Sequence, residues 1–501
     1  MNPVLLRLAL ALLLPVAISG CSTMSMGSRP ETPDGDKCLK LYEQVDARID
    51  SAGVGDASYH RIPGFPYLRS DRYSASFAQQ IPTMDAFWEW VGYLRANEDE
   101  SREVELRNLK MTKEESASLL LDMRACGGWL RSWELEDADF RDKLVNAAAV
   151  PDDYSTAQRV AGLYPLAVPF LKRSIEKERE ATRSAFAAKL EDPAQPSGMI
   201  LWKPQANPEA EYEAGTIDLR NKPRDLLGRI GLLWSEVVHI AYTHAPEMWI
   251  ETVGDYDKVG APVHTANGPD VDVHKPTVYY LPGLTRFGGK SLLQMSYFIW
   301  FSERLPQQKS DGRAGTMDGL IWRVTFDEQG RPLMHDSVRV TGDDHFGFVA
   351  QPVLQARDDA LPSVMFPQKQ IPAGEMAVRL RTGTHAVVRL VPADEAKASK
   401  QASYDLRPYD ELLNLPDPAG GTRSLFDVAG FVPGTERSER FWIWSSGVRN
   451  AGALRQWGHH ATTTVGRAHF DDPFLLEQLF VVPPGAPAPV TGVVKGGVLA
   501  P

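Results

Sequence analysis

Ten of the eleven histidines in this 501-residue chain fall after residue 230, and several stand beside carboxylates. The tightest grouping is Asp270-Val271-Asp272-Val273-His274. Side chains at i, i+2 and i+4 of a strand share a face, so both carboxylates and the imidazole would converge while the valines turn away. That oxygen and nitrogen set suits a divalent metal such as zinc or manganese. Asp255, Asp257 and His264 stand in the same stretch and could add ligands. The stretch is also rich in Asp and Gly, which is the composition of a surface loop with Asp-capped turns.

A second grouping is His459-His460, preceded by Arg455-Gln456-Trp457-Gly458 and followed by His469, Asp471 and Asp472. A histidine oriented by an aspartate could serve as a general base. Adjacent strand residues point to opposite sides, so at most one of the pair easily joins a given site. The structural alternative is a buried histidine with satisfied hydrogen bonds. His239 and His244 form a third grouping, with His244 at an expected helix end, where the dipole favours a cationic imidazole. His335-Asp336 and Asp343-Asp344-His345 flank one predicted strand.

Several familiar chemistries are absent. There is no H-E-x-x-H helix, no G-x-S-x-G elbow and no Walker loop. Gly288-Gly289-Lys290-Ser291 lacks the Walker spacing and reads as a turn leading into a strand. Ser174-Ile175-Glu176-Lys177 matches S-x-x-K on a charged helix and reads as a solvated face.

The elements that must position these groups follow from apolar periodicity. Cys38, Leu41, Val45 and Ile49 lie at i, i+3, i+7 and i+11, one face of a helix. Thr83 is a predicted N-cap, and Thr112 with Glu115 is a predicted capping box. Gly127-Gly128 marks the expected weakening or end of that second helix. A charged helix is expected over 171–190, closed by Pro193 and Pro196, and the apolar run Val160–Leu171 before it reads as buried core. Beyond Pro196, short β-branched and aromatic runs alternate with turn residues. Strands are predicted over 277–281 and 292–301, hairpins over 320–340 and 377–391, a short strand at Phe441–Trp444, and one helix over 223–243. The fold class is α+β: a helical domain over 37–195, then a larger β-rich domain over 196–480, a sandwich or curved antiparallel sheet. The composition leaves a second division near 395–405 open, and residues 481–501 form a Pro/Gly-rich tail expected to be disordered.

Residues 1–20 read as an export signal, with Arg7 ahead of an uncharged run from Leu8 to Ile18. Eleven helical residues rise about 16 Å, short of the ~30 Å hydrocarbon core. Ile18-Ser19-Gly20-Cys21 resembles the lipobox of bacterial lipoproteins. The resemblance implies cleavage before Cys21, lipidation of Cys21, and, with Ser22 following, placement in the outer membrane facing the periplasm or the cell surface. Residues 21–36 then have a tether composition. Loss of Arg7 takes the net charge from −11 to −12, which disfavours nucleic acid as a partner. In an oxidising compartment Cys38 and Cys126, both on apolar faces, are expected to pair, and neither is a nucleophile. Arg286–Lys290, Asp318–Arg323 and Arg455–His460 are similar to segments of uncharacterised bacterial envelope lipoproteins, a resemblance that supports location and brings no activity.

Two functions follow. The first is a lipid-anchored module that binds an envelope protein, a glycan or a small ligand, with Trp300, Trp322, Trp442, Trp444 and Trp457 as groove candidates. The second is a metal-assisted periplasmic hydrolase using Asp270, Asp272 and His274 with His459 or His460 as base.

Overall fold

The computed structural model describes residues 33–188, 198–206, 217–357, 363–397 and 399–482. Cys21 and the tail beyond 482 lie outside the described residues.

The N-terminal half is built on helices α1 (Pro33–Ala52), α2 (Arg72–Ala75), α3 (Met84–Asn108), α4 (Lys113–Glu134) and α5 (Ala138–Ala147), then α6 (Thr156–Ala161) and α7 (Tyr164–Ala187). The α1 stripe is buried as its spacing requires, with Tyr42, Val45 and Ile49 in one core with Trp90, Leu94 and Leu130. Thr83 caps α3 through the Ala86 N–H, and Thr112 and Glu115 close a reciprocal capping box on α4. Cys38 and Cys126 form a disulfide that ties α1 to α4, with Cα atoms 5.1 Å apart.

Two expectations fail in this half. A hairpin, β1 (His60–Ile62) and β2 (Phe65–Ser70), interrupts the helices and packs β2 on α3. Helix α4 also runs through Gly127-Gly128 without stopping. A Cβ at Gly127 would lie 2.7 Å from the Tyr42 hydroxyl and 3.2 Å from Tyr67 Cβ, so that glycine permits close packing.

The β-rich half is one ten-stranded sheet. Its strands are β3 (Met199–Pro204), β4 (Glu247–Glu251), β7 (Thr277–Phe287), β8 (Lys290–Arg304), β9 (Gly315–Phe326), β10 (Pro332–Arg339), β11 (Phe346–Val349), β12 (Met376–Leu380), β13 (Val387–Pro392) and β14 (Lys400–Pro408). The order is β11-β10-β9-β8-β7-β14-β3-β4-β12-β13. Strands β7 to β11 form an antiparallel meander, and β14 runs parallel to both β7 and β3. Residues 395–405, the second division open on composition, therefore include the start of the strand that joins the two halves of the sheet. A separate hairpin pairs β5 (Ala261–Thr265) with β6 (Gly268–Asp272).

Alternation along β8 decides both faces. Tyr297, Ile299 and Phe301 enter a core with Ile240 of α8 (Trp234–Thr243), while Phe298 and Trp300 enter a second core with Leu412, Phe426, Leu454 and Phe470. The chain after β14 is thus a lid on one face of the sheet. Gly288-Gly289 is the two-residue turn of the β7–β8 hairpin, with φ of 60° and 74°, a left-handed pair that glycine accommodates.

Three further corrections bear on function. The helix expected over 223–243 begins only at Trp234, because Asp225 Oδ1 accepts the N–H groups of Leu227 and Arg229 and Gly228 turns left-handed at φ 77°. Phe441–Trp444 is not a strand but the junction between two short 3-10 turns, Ser438–Phe441 and Trp444–Ser446. The apolar run from Val160 is not core: Val160, Leu163, Leu166 and Phe170 are all exposed, Phe170 at 78%.

Candidate functional site

Where the two halves meet, the loop Arg455–His460 faces the loop Asp152–Ser155 between α5 and α6. Arg455 is fully buried and has no carboxylate partner among the described residues. Its guanidinium instead gathers carbonyls: Thr341 at 3.0 Å, His459 at 3.1 Å, Arg449 at 2.6 Å and Asn450 at 3.2 Å. Gathering these carbonyls accompanies a left-handed turn at Asn450 (φ 41°), a conformation asparagine tolerates better than most. Gln456 donates to Asp56 (2.9 Å) and Ser58 (2.6 Å) of the N-terminal half. The Trp457 N–H donates to the Tyr409 hydroxyl.

His459 is the centre of the contact. Its Nδ1 donates to Asp153 Oδ1 at 3.0 Å, and its Nε2 donates to the Ala57 carbonyl at 3.0 Å. Both partners are acceptors, so both nitrogens carry protons and the ring is an imidazolium. Burial alone would lower its pKa, but the hydrogen bond and charge of Asp153 raise it. Asp153 is likewise pushed up by burial and pulled down by His459 first and Arg72 next, ending below the usual carboxylate range. Arg72 Nη2 lies 2.5 Å from Asp153, and Arg72 Nε lies 3.2 Å from Asp471. His469 Nε2 stands 3.3 Å from Asp152 and 3.5 Å from Asp153. His60 sits edge-on to His459 at 5.7 Å; burial, then the His459 charge, pushes it down to about 3, so it is neutral.

This arrangement corrects the reading of His459 or His460 as a general base. His459 has no free lone pair. His460 is fully buried, and burial, then the Arg455 and His459 charges, lowers it to about 3.

The proposed metal set does not assemble either. β6 ends at Asp272, and Asp272 Oδ1 accepts the His274 N–H in a turn, which takes His274 out of the strand alternation. Asp270 and His274 are exposed. Asp257 is elsewhere, accepting from Val253, Thr382 and Gly383, and His264 Nε2 meets the Ser424 carbonyl. Among the described residues no three His, Cys, Asp or Glu side chains are placed to share a metal ion.

The other histidine–carboxylate neighbours are also tied up in ion-pair networks. His385 lies between Asp318 Oδ2 (2.8 Å) and the Tyr256 carbonyl (3.0 Å), stacked on Phe301 at 3.8 Å, and its pKa is raised against burial by Asp257 and Asp318. Arg323 holds Asp336 through two bonds, donates to the Phe470 carbonyl, and lies 3.7 Å over the Phe470 ring; His345 shares the same carboxylate. His244 does cap a helix end, yet burial, then the His239 charge, takes it down to about 4, so it is neutral there. In a pocket of about 170 Å³, Glu178 and Glu439 pair with Arg313, which also lies within 4 Å of Asp343 and Asp344.

A cleft opens beside this clamp of His459, Asp153 and Arg72. It measures about 770 Å³ between the two halves and is lined by Tyr59, His60, Arg61, Asp152, Arg449 and Asn450, among others. Arg449 and Asn450 are exposed at its rim. The residues that sequence reasoning missed are Asp153, Arg72 and Ala57, which lie 306 to 402 residues from their partners in the 455–471 segment. No local pattern marks them. Comparison with protein-family models, with curated proteins and with solved structures finds no match.

Proposed function

We propose that the chain is a lipid-anchored cell-envelope protein that binds a polar ligand, an envelope glycan, in the cleft between its two halves. The observation that carries this reading is the cleft itself: about 770 Å³, walled by hydroxyl, amide, imidazole and charged groups of both signs. Mixed donors and acceptors without a reactive centre suit recognition rather than bond breaking. The one histidine in the wall oriented by a carboxylate is committed on both ring nitrogens, which weighs against hydrolysis. Anchoring through Cys21 rests on the lipobox resemblance and would hold the body at a membrane.

Calorimetric titration with soluble peptidoglycan fragments tests the cleft. Saturable binding is expected, weakened roughly 5- to 150-fold by Arg449→Ala with Asn450→Gly, since two lost hydrogen bonds to a bound ligand remove about 1–3 kcal/mol. Absence of binding at millimolar fragment, or binding untouched by the pair of substitutions, refutes the glycan assignment. Mass measurement of the mature N-terminus, with and without globomycin, tests the anchor separately.

A further inference from the structure

Among the described residues, the surface around α7 departs from an ordinary polar exterior. Leu163, Leu166 and Phe170 lie at i, i+3 and i+7, one stripe of the helix, while Leu171 and Ile175 turn inward to the pocket lined by Glu178 and Glu439. Phe441 (71% exposed), Trp442 (80%) and Trp444 stand on the neighbouring 3-10 turns. The two pieces are packed together: a Cβ at Gly162 would meet Ser445 Cα at 2.8 Å, and Leu163 turns left-handed at φ 47° to start the helix beside it. Scattered exposed leucines are ordinary. A contiguous set of Leu, Phe and Trp on rigid elements marks an interaction surface.

Charge says what covers it. Residues 156–183 carry six Lys and Arg against three Glu in a chain of net charge −11. Those three glutamates are already occupied: Glu176 and Glu180 pair with Arg183, and Glu178 with Arg313. Among the described residues, Lys172, Arg173, Lys177 and Arg440 have no carboxylate within 4.0 Å; Arg440 lies 4.9 Å over the Phe441 ring. Arg173 and Lys177 continue the Leu166–Phe170 stripe at i+7 and i+11. Glu436 is the one exposed carboxylate of the 436–449 segment. Unpaired positive charge around exposed Trp, Phe and Leu is the chemistry of a surface that lies in a lipid headgroup layer.

We infer that this face, centred on Phe170 and Trp442, docks on an anionic phospholipid surface, giving the protein a membrane contact of its own that does not depend on acylation of Cys21. A basic apolar patch and an N-terminal lipid would act together, each too weak or too mobile to set orientation alone.

The test uses the full mature chain exported behind an ordinary cleavable signal with Cys21→Ser, so that no acyl chain contributes. Co-sedimentation with phosphatidylglycerol/phosphatidylethanolamine vesicles is expected at low salt, falling as salt rises, with little on phosphatidylcholine vesicles. Phe170→Ser with Trp442→Ser should reduce the partition coefficient at least roughly tenfold at unchanged melting temperature, both positions being solvent-exposed. Failure of the Cys21→Ser chain to sediment with anionic vesicles overturns the inference, as does equal sedimentation of the double variant. A dimer in sedimentation equilibrium that the double variant dissolves overturns it in favour of a second copy. A wild-type chain found unacylated at Cys21 overturns the anchor and leaves this result standing.

Discussion

Asp153→Asn is the most direct perturbation of the contact between the two halves. The side chain keeps its size, so the change removes charge and little packing. Asp153 faces three basic groups: Arg72 at 2.5 Å, His459 at 3.0 Å and His469 at 3.5 Å. Taking one partner from a buried ion pair costs about 3–5 kcal/mol, because the opposite charge stays desolvated. The cost must depend on pH. The folded pKa of His459 is raised above its unfolded value, so its contribution is fully present below about 6.5 and is lost as pH rises through the folded value. Asparagine removes the cause of that raised pKa. The loss of stability on substitution should therefore be larger at pH 6 than at pH 9, because the imidazolium contribution declines as pH rises. Equilibrium guanidinium unfolding followed by tryptophan fluorescence at the two pH values measures it. A loss under about 1 kcal/mol at pH 6, or the same loss at both, would refute the clamp.

Other outcomes follow from the same contacts. His60, His335 and His460 are held at about 3 by burial, so the unfolded chain takes up protons that the folded chain refuses. Stability should fall below pH 6.5 by up to about 1.4 kcal/mol per pH unit for each, and a melting temperature flat from pH 7 to 5 would contradict this. Breaking Cys38–Cys126, which spans 88 residues, should lower stability by about 4 kcal/mol; two alkylatable thiols before reductant is added would remove the bond from the argument. Gly127→Ala should cost about 1–3 kcal/mol through its clash with Tyr42 and Tyr67, and a neutral result in thermal unfolding would show that these rings can give way.

The sequence alone determined what short-range physics controls. The α3 and α4 caps use side chains within three residues of the groups they satisfy, and the β9–β10 hairpin turns on Asp327, whose carboxylate accepts the Gln329 and Arg331 N–H groups. The Cys38–Cys126 pairing was also legible, as an expectation for two cysteines on apolar helix faces of one helical domain under oxidising conditions. The candidate site was legible only as a concentration of histidines. Their protonation, and so their chemistry, depends on what stands within about 3 Å, and for His459 those neighbours come from residues 57 and 153. The run from Val160 illustrates the same limit. Apolar residues at helical spacing state that a face is apolar, not what it faces; only the packing of Gly162 on Ser445 and the inward turn of Leu171 left Leu166 and Phe170 in the open. Local hydrogen bonds and periodicity are written residue by residue, whereas burial and charge pairing are properties of surfaces that the chain brings together from hundreds of residues apart.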